Sequence, residues 1–328
     1  MPVQITIIGL GQIGASIGLS LAAHKNDILR IGHDKKLEVE REALQKGVAD
    51  KMEHNLPSAV RDAKLVVLCL PISQIKETLE FIASDLKEGT VVLDTAPIKA
   101  DVQKWAKQIL PEGRYYVGLV PALNPELLHD VEVGLTAARV DLFSRGLFMV
   151  DAPSNAPEEA VVLAMDFVRL LGAEPLLADL MESDGLMSTV HLLPQLVAAS
   201  LLNATIDQPG WQDARKVAGR PYATVTSALA HQDEIDSLRM SALQNRASVV
   251  HALDVTIATL RGLRDDIENE NNDGVAMRLE SALQGRKRWL GERLTAEWGK
   301  PGRTEAPDFP SLSERLFGGL FAKKPRGK

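Results

Sequence analysis

The stretch Gly9-Leu10-Gly11-Gln12-Ile13-Gly14 constrains this chain more than any other. It follows an apolar, β-branched run, VQITIIG at 3–9, and opens a helical pattern from about Ile13 to His24. In a strand–turn–helix setting the first glycine permits the tight turn and the second lets a backbone approach a pyrophosphate. The third allows close helix–strand packing, and the helix N-terminus faces the anion. Twenty residues past Gly14, Asp34 ends a second strand-like run, ILRIGHD at 28–34. A carboxylate there accepts hydrogen bonds from the adenosine ribose and repels a 2′-phosphate. The expectation is a dinucleotide site on Gly9, Gly11, Gln12, Ile13, Gly14 and Asp34, for NAD, with Lys35 and Lys36 leaving NADP open.

The runs KLVVLCLP (64–71), GTVVLDT (89–95), RYYVGLV (114–120) and LFMVDAP (147–153) continue the series. Continuous apolar strands separated by helical segments predict a parallel sheet buried on both faces, the α/β Rossmann-type doubly wound arrangement. Such sheets bind ligands along their carboxyl edge, so Leu70 and Pro71 join the expected cofactor contacts. The single cysteine, Cys69, reads as a small buried hydrophobe; it excludes an internal disulfide and fits a reducing cytosol.

After Pro153 the pattern changes. SNAPEE (154–159) predicts a helix capped by Ser154 that runs to LLGAEP, and from Met181 the pattern is almost wholly helical. Leu238, Leu243, Val250, Leu253, Ile257, Leu260, Leu263 and Ile267 predict one long helix over 237–268. A turn at ENENNDG (268–274) and a further helix to about Trp298 follow. Three units are expected: a dinucleotide-binding domain (1–153), an all-α substrate and dimerisation domain (154–298), and a Pro/Gly-rich flexible tail (299–328). A net charge of −7 argues against nucleic-acid binding. No uninterrupted run of about 18 apolar residues and no signal-like start is present, so a cytoplasmic protein without a membrane partner is expected.

Within DGLMSTVHLLPQLVAASLL (184–202), Asp184, Ser188, His191 and Gln195 are spaced four, three and four residues apart. They share one helix face, which must meet a polar cavity, a partner subunit or a matching network. Pro194 is expected to bend or break the helix and re-aim Gln195. Lys99, in DTAPIK just past a strand end, either opens a helix or serves a site. There is no HExxH, paired Cys/His motif or GxSxG, so neither a metal nor a serine hydrolase is expected.

Over roughly residues 3–265 the chain resembles the prephenate/arogenate dehydrogenase family. The likeness rests on IIGLGQIGASIGLSL, Asp34, VVLCLP, DTAPIK, VGLVPALNP, MESD…HLLPQLVAASL and Asn245. The resemblance implies a Rossmann domain followed by a helical dimerisation domain. It also implies NAD(P)-dependent oxidative decarboxylation of prephenate or arogenate in tyrosine synthesis, with a histidine taking the substrate hydroxyl's proton. The family's G-x-H-P-x-x-G motif falls on Gly118–Asn124, which places Val120 where that histidine stands. In the D-x-x-S-x-K pattern Pro97 replaces the serine, while Asp94 and Lys99 remain. The S-H-L-P-H motif becomes His191-Leu192-Leu193-Pro194-Gln195, and the substrate-binding arginine falls near Leu229.

The site residues expected from this are His191 as replacement base, Lys99 as a catalytic or carboxylate-binding group, and Asn124, Gln195 and Arg220 as substrate contacts. Three functions stay open: a homodimeric NAD(P)-dependent dehydrogenase of this type, with the family's substrate or an altered one; a non-catalytic NAD-binding sensor or scaffold; and a reductase of an imine or 2-oxo acid.

Overall fold

A computed structural model describes residues 2–130, 132–229 and 235–296. The β-branched runs form strands β1 (Val3–Ile8) and β2 (Ile28–His33), joined by helix α1 (Gln12–Ser20). Helix α2 (Leu37–Gln45), the two-residue strand β3 (Lys51–Met52) and helix α3 (Leu56–Val60) lead to β4 (Leu65–Leu68). Helix α4 (Ile72–Ile82), β5 (Val91–Asp94), α5 (Ala100–Ile109), β6 (Tyr115–Ala122) and β7 (Leu147–Asp151) complete the expected series. With a last strand β8 (Glu174–Ala178), the strands lie in the order β3-β2-β1-β4-β5-β6-β7-β8. The order reverses direction at β1/β4, the switch point where doubly wound sheets bind ligands. One apolar cluster gathers Ile7, Val67, Leu93, Val117 and Phe148 on one side of the sheet; another gathers Ile8, Val66, Leu68 and Val92 with Leu192 and Val249 of the helical half.

The structure departs from the sequence expectation in several places. The sheet is not wholly parallel, because β7 runs antiparallel to β6. It also continues past residue 153: helix α6 (Glu158–Leu170) is followed by strand β8 (Glu174–Ala178), which pairs parallel with β7. Pro175 is tolerated because β8 is an edge strand. The helical unit therefore starts near residue 180, not 154. Helix α6 begins at Glu158 with Pro157 at its cap, so Ser154 does not cap it.

Helix α7 (Leu180–Met187) runs through a π-turn at Ser188–Leu192 into α8 (Leu193–Thr205). Pro194 does not break the helix; the wider turn before it absorbs the missing N–H. By length and composition alone this Leu180–Thr205 helix could cross a membrane. Its buried Asp184, Ser188 and Gln195 instead make hydrogen bonds within the protein. Short helices α9 (Trp211–Val217) and α10 (Arg220–Thr226) precede α11 (Ile235–Gln244), α12 (Arg246–Glu268) and α13 (Asn272–Thr295). The long helix expected over 237–268 is interrupted at Asn245, whose side chain donates to the Asp184 carbonyl (2.6 Å) and Ser188 Oγ (2.5 Å). The tail at 299–328 lies outside the described residues.

Candidate active site

The glycine loop gains its shape from contacts that leave no room for side chains. Gly9 has φ +90°, and a Cβ there would sit 2.4 Å from the Cys69 carbonyl oxygen. A Cβ on Gly14 would sit 1.9 Å from the Gly9 carbonyl oxygen, so the helix starts in contact with the turn. Gly11 is the opposite case. Nothing lies within 4 Å of an added Cβ, and its backbone faces open space. Asp34 closes the loop from β2: its Oδ2 accepts from Leu10 N (2.9 Å) and its Oδ1 from Lys36 N (3.0 Å).

Two lobes of one cleft meet at this loop. The first, about 800 Å³, is lined by Gly9, Gly11, His33, Asp34, Leu70 and Pro71, among others. The second, about 570 Å³, shares Gly11, Leu70 and Pro71 and adds Gln12, Ile13, Thr95, Pro97, His191 and Gln195. Gly14 lines neither lobe and acts by packing under the turn. The expected cofactor residues are otherwise gathered around the cleft.

The second lobe joins the sheet edge to the helical half. The π-turn carries His191, and α8 carries Gln195, whose Nε2 donates to the His191 carbonyl (2.8 Å). Gln195 Oε1 is buried without a hydrogen-bond partner among the described residues. A buried amide oxygen left unpaired is costly unless a ligand donor reaches it. Burial also lowers the pKa of the His191 imidazole below its ordinary value, so at neutral pH the ring is in its basic form. Cys69 lines both lobes, but burial pushes its thiol up to about 12, which makes it inert as a nucleophile.

Sequence reasoning did not single out Ser237, Ser241, Asp130 or Glu132, all of which line the second lobe. Ser237 is brought there by α11, and its Oγ lies 2.9 Å from Ser73 Oγ on α4. Serines and acids outside a periodic pattern carry no signal of their own in one sequence.

Three expected site residues are placed elsewhere. Lys99 is fully buried, 0% exposed, and lines neither lobe. Its Nζ lies 2.7 Å from Asp94 Oδ1, and Tyr116 donates to Asp94 Oδ2 (2.6 Å). Gly118 makes room for the lysine, since a Cβ there would sit 2.7 Å from Lys99 Cδ. Asn124 is a loop cap: its Oδ1 accepts from Glu126 N (3.1 Å) and its Nδ2 donates to the Asp141 carbonyl (3.2 Å). Arg220 is exposed at the start of α10, outside both lobes. Val120 is buried in β6 and lines neither lobe.

Asp184, from the polar stripe, serves the buried network under the cleft. Its carboxylate accepts from the backbone N–H groups of Lys99 (2.7 Å) and Ala100 (3.0 Å), capping α5 and tying the two halves together. Asp151 Oδ1 accepts from Ser183 Oγ (2.7 Å), while its Oδ2 is buried without a partner among the described residues. Burial raises the Asp151 pKa from 3.8 to about 6. A carboxyl raised in the folded state binds more protons there than when unfolded. Its stabilising contribution is therefore full below pH 3.8 and is lost as pH rises through about 6. Urea titrations of wild type and Asp151→Ala should show the variant's deficit shrinking as pH rises through that window. A deficit that grows instead would contradict this assignment.

Comparisons with known proteins agree with this architecture. Residues 17–177 match the family model described as the prephenate dehydrogenase nucleotide-binding domain. The chain is 24% identical over 326 residues to a prephenate dehydrogenase from Bacillus subtilis, covering 98% of this chain and 85% of the relative. It is 25% identical to a cyclohexadienyl dehydrogenase from Zymomonas mobilis, covering 82% and 90%. In fold it is similar to the Aquifex aeolicus prephenate dehydrogenase solved with hydroxyphenyl propionate and NAD+. The TM-score is 0.76 at 18% identity, over 88% of this chain and 98% of that one. A Synechocystis arogenate dehydrogenase structure gives a TM-score of 0.68 at 21% identity, over 88% and 100%.

Proposed function

The chain belongs to the prephenate/arogenate dehydrogenase family, and on that premise we propose that it is an NAD-dependent dehydrogenase whose proton acceptor is His191. The observation that carries this reading is the second lobe, where the His191 imidazole, neutral at pH 7, and Gln195 line a cavity that opens onto the glycine loop. The bound dinucleotide would supply the hydride acceptor. Gly9, Gly11 and the start of α1 would hold its pyrophosphate, and Asp34 its adenosine ribose. The Asp34 carboxylate, fixed by Leu10 N and Lys36 N, favours NAD over a 2′-phosphorylated cofactor. His191 takes the proton of the substrate hydroxyl, and the Gln195 amide beside it orients the substrate. The substrate class is that of the family, a ring alcohol such as prephenate or arogenate, or a relative altered to suit this rewritten pocket.

A non-catalytic NAD-binding protein is the second reading, favoured by Val120 at the position of the family's proton-accepting histidine. Purified protein with NAD or NADP and prephenate or arogenate, monitored by absorbance of the reduced cofactor, separates the two. Cofactor reduction supports the enzyme. Tight NAD binding with no reduction on prephenate, arogenate or a panel of small 2-hydroxy acids overturns it.

The glycine loop is tested separately. The Gly14→Ala methyl would sit 1.9 Å from the Gly9 carbonyl oxygen and push the turn out of place, an overpacking that costs about 1–3 kcal/mol in the fold. With the turn displaced, NAD affinity should fall, tenfold in Kd for each loss of about 1.4 kcal/mol of binding. A fluorescence titration with NAD that gives wild-type affinity would rule out this packing role.

A homodimer through the helical half is also part of the proposal. Val255, Leu260 and Ile267 on α12 and Met277, Leu283 and Trp289 on α13 are exposed apolar residues that a second copy would cover. Sedimentation equilibrium should give a dimer, and a monomer at all concentrations would refute it.

A further inference from the structure

We propose that His33, Glu40, His54 and the main-chain carbonyl of Glu53 form a binding site for a divalent transition-metal ion of the zinc class. The donors come from three segments. His33 ends β2, Glu40 lies in the first turn of α2, and Glu53 and His54 follow β3. No sequence motif announces them, because H-x6-E-x13-H matches no common ligand spacing. The tertiary fold supplies the convergence.

The ligand atoms of His33, Glu40 and His54 all lie within 4.8 Å of one another. His33 Nδ1 is 3.6 Å from Glu40 Oε1 and 3.1 Å from the Glu53 carbonyl oxygen, and His54 Nδ1 is 3.1 Å from Glu40 Oε2. Zinc–nitrogen and zinc–oxygen bonds of about 2.0–2.1 Å put the edge of a tetrahedron near ~3.3 Å, which these separations bracket. The set of two imidazoles, one carboxylate and one carbonyl suits zinc or cobalt; magnesium and calcium prefer oxygen alone.

The donors are also held in place. The Glu53 N–H donates to the Gly32 carbonyl (3.0 Å), which pins the loop to β2, and Asp34 N donates to Glu40 Oε1 (3.1 Å). His33 and Glu40 are buried, while the His54 side chain is half-exposed and leaves a path for the ion. The site borders the first lobe through His33 and lies apart from the second. An ion there would brace the segment that presents Asp34, a structural role independent of the proton acceptor. The same atoms could also form a metal-free cluster of imidazole–carboxylate hydrogen bonds, and the experiment distinguishes the two.

Full-length protein is stripped with chelator and titrated with Zn2+ alone, then with Co2+ alone, in the absence of cofactor. The expected results are about one equivalent of Zn2+ per chain and the intense visible bands of four-coordinate cobalt. His54→Ala should weaken binding by more than the roughly 10–100-fold that loss of an outer contact costs, and Glu40→Gln should do the same. If wild type and His54→Ala take up Zn2+ equally, or if cobalt in the wild type keeps its six-coordinate spectrum, the site is refuted. Should a variant fail to fold, the wild-type cobalt spectrum decides alone.

Discussion

Replacing His191 with alanine should lower the kcat of the proposed dehydrogenase reaction by roughly 10²–10⁴-fold, because that is the usual contribution of a positioned general base. NAD binding should change far less than kcat, since Gly9 and Asp34, which would hold the pyrophosphate and the adenosine ribose, line the first lobe and His191 does not. The pH profile makes the test specific. Burial lowers the imidazole pKa below 6.5. The neutral form is the base, so activity is full above the shifted pKa and falls as pH drops through it. The acid limb of kcat/KM should therefore lie below pH 6.5, and His191→Ala should abolish it. Unchanged turnover, or an acid limb retained in the variant, would remove His191 from the mechanism. The companion Gln195→Ala should raise KM more than it lowers kcat if Gln195 orients substrate in the ground state.

The largest stability effect should come from Lys99→Met. Asp94 and Lys99 are both 0% exposed and form a 2.7 Å ion pair. Burial lowers the Lys99 pKa, while Asp94 beside it and Asp151 and Asp184 farther out favour the charged ammonium. Removing the lysine leaves the Asp94 carboxylate buried with, among the described residues, Tyr116 and the Ala96 N–H as donors. Breaking one side of a buried pair typically costs about 3–5 kcal/mol, whereas replacing both partners can be nearly neutral. Lys99→Met should lower the urea midpoint sharply, and adding Asp94→Asn should recover part of that loss. Equal destabilisation by the single and double variants would mean that packing, not charge, sets the cost. Both variants should keep the substrate profile of the wild type, since neither residue reaches the cleft.

The cofactor half was legible for a local reason. A tight turn, an approach to a phosphate and a helix–strand contact are each satisfied by glycine within six consecutive residues. Asp34 sits at a fixed distance along the same βαβ unit. The polar stripe was legible as periodicity, but its residues divide between two tasks. His191 and Gln195 reach the cleft, while Asp184 caps α5 and Ser188 accepts from Asn245. Three and four residue steps place groups on one face; they do not say what stands opposite each group.

Lys99 and Asn124 show where a linear reading fails. Both follow strand ends, where ligands bind, yet one is drawn under the sheet edge by Asp94 and the other closes a loop. The boundary at 153 failed because β8 is short and joins an edge, a pairing set by β7 and not by its own composition.

The sequence by itself determined the doubly wound sheet, the glycine loop with Asp34, and the helical second half, because each follows from patterns within one or two adjacent elements. Only the tertiary structure decided which polar residues share a cavity and which are buried as ion pairs. It also brought His33, Glu40 and His54 together. Those outcomes depend on contacts between residues far apart in the chain, such as Lys99 with Asp184, and no local pattern encodes what such a residue meets.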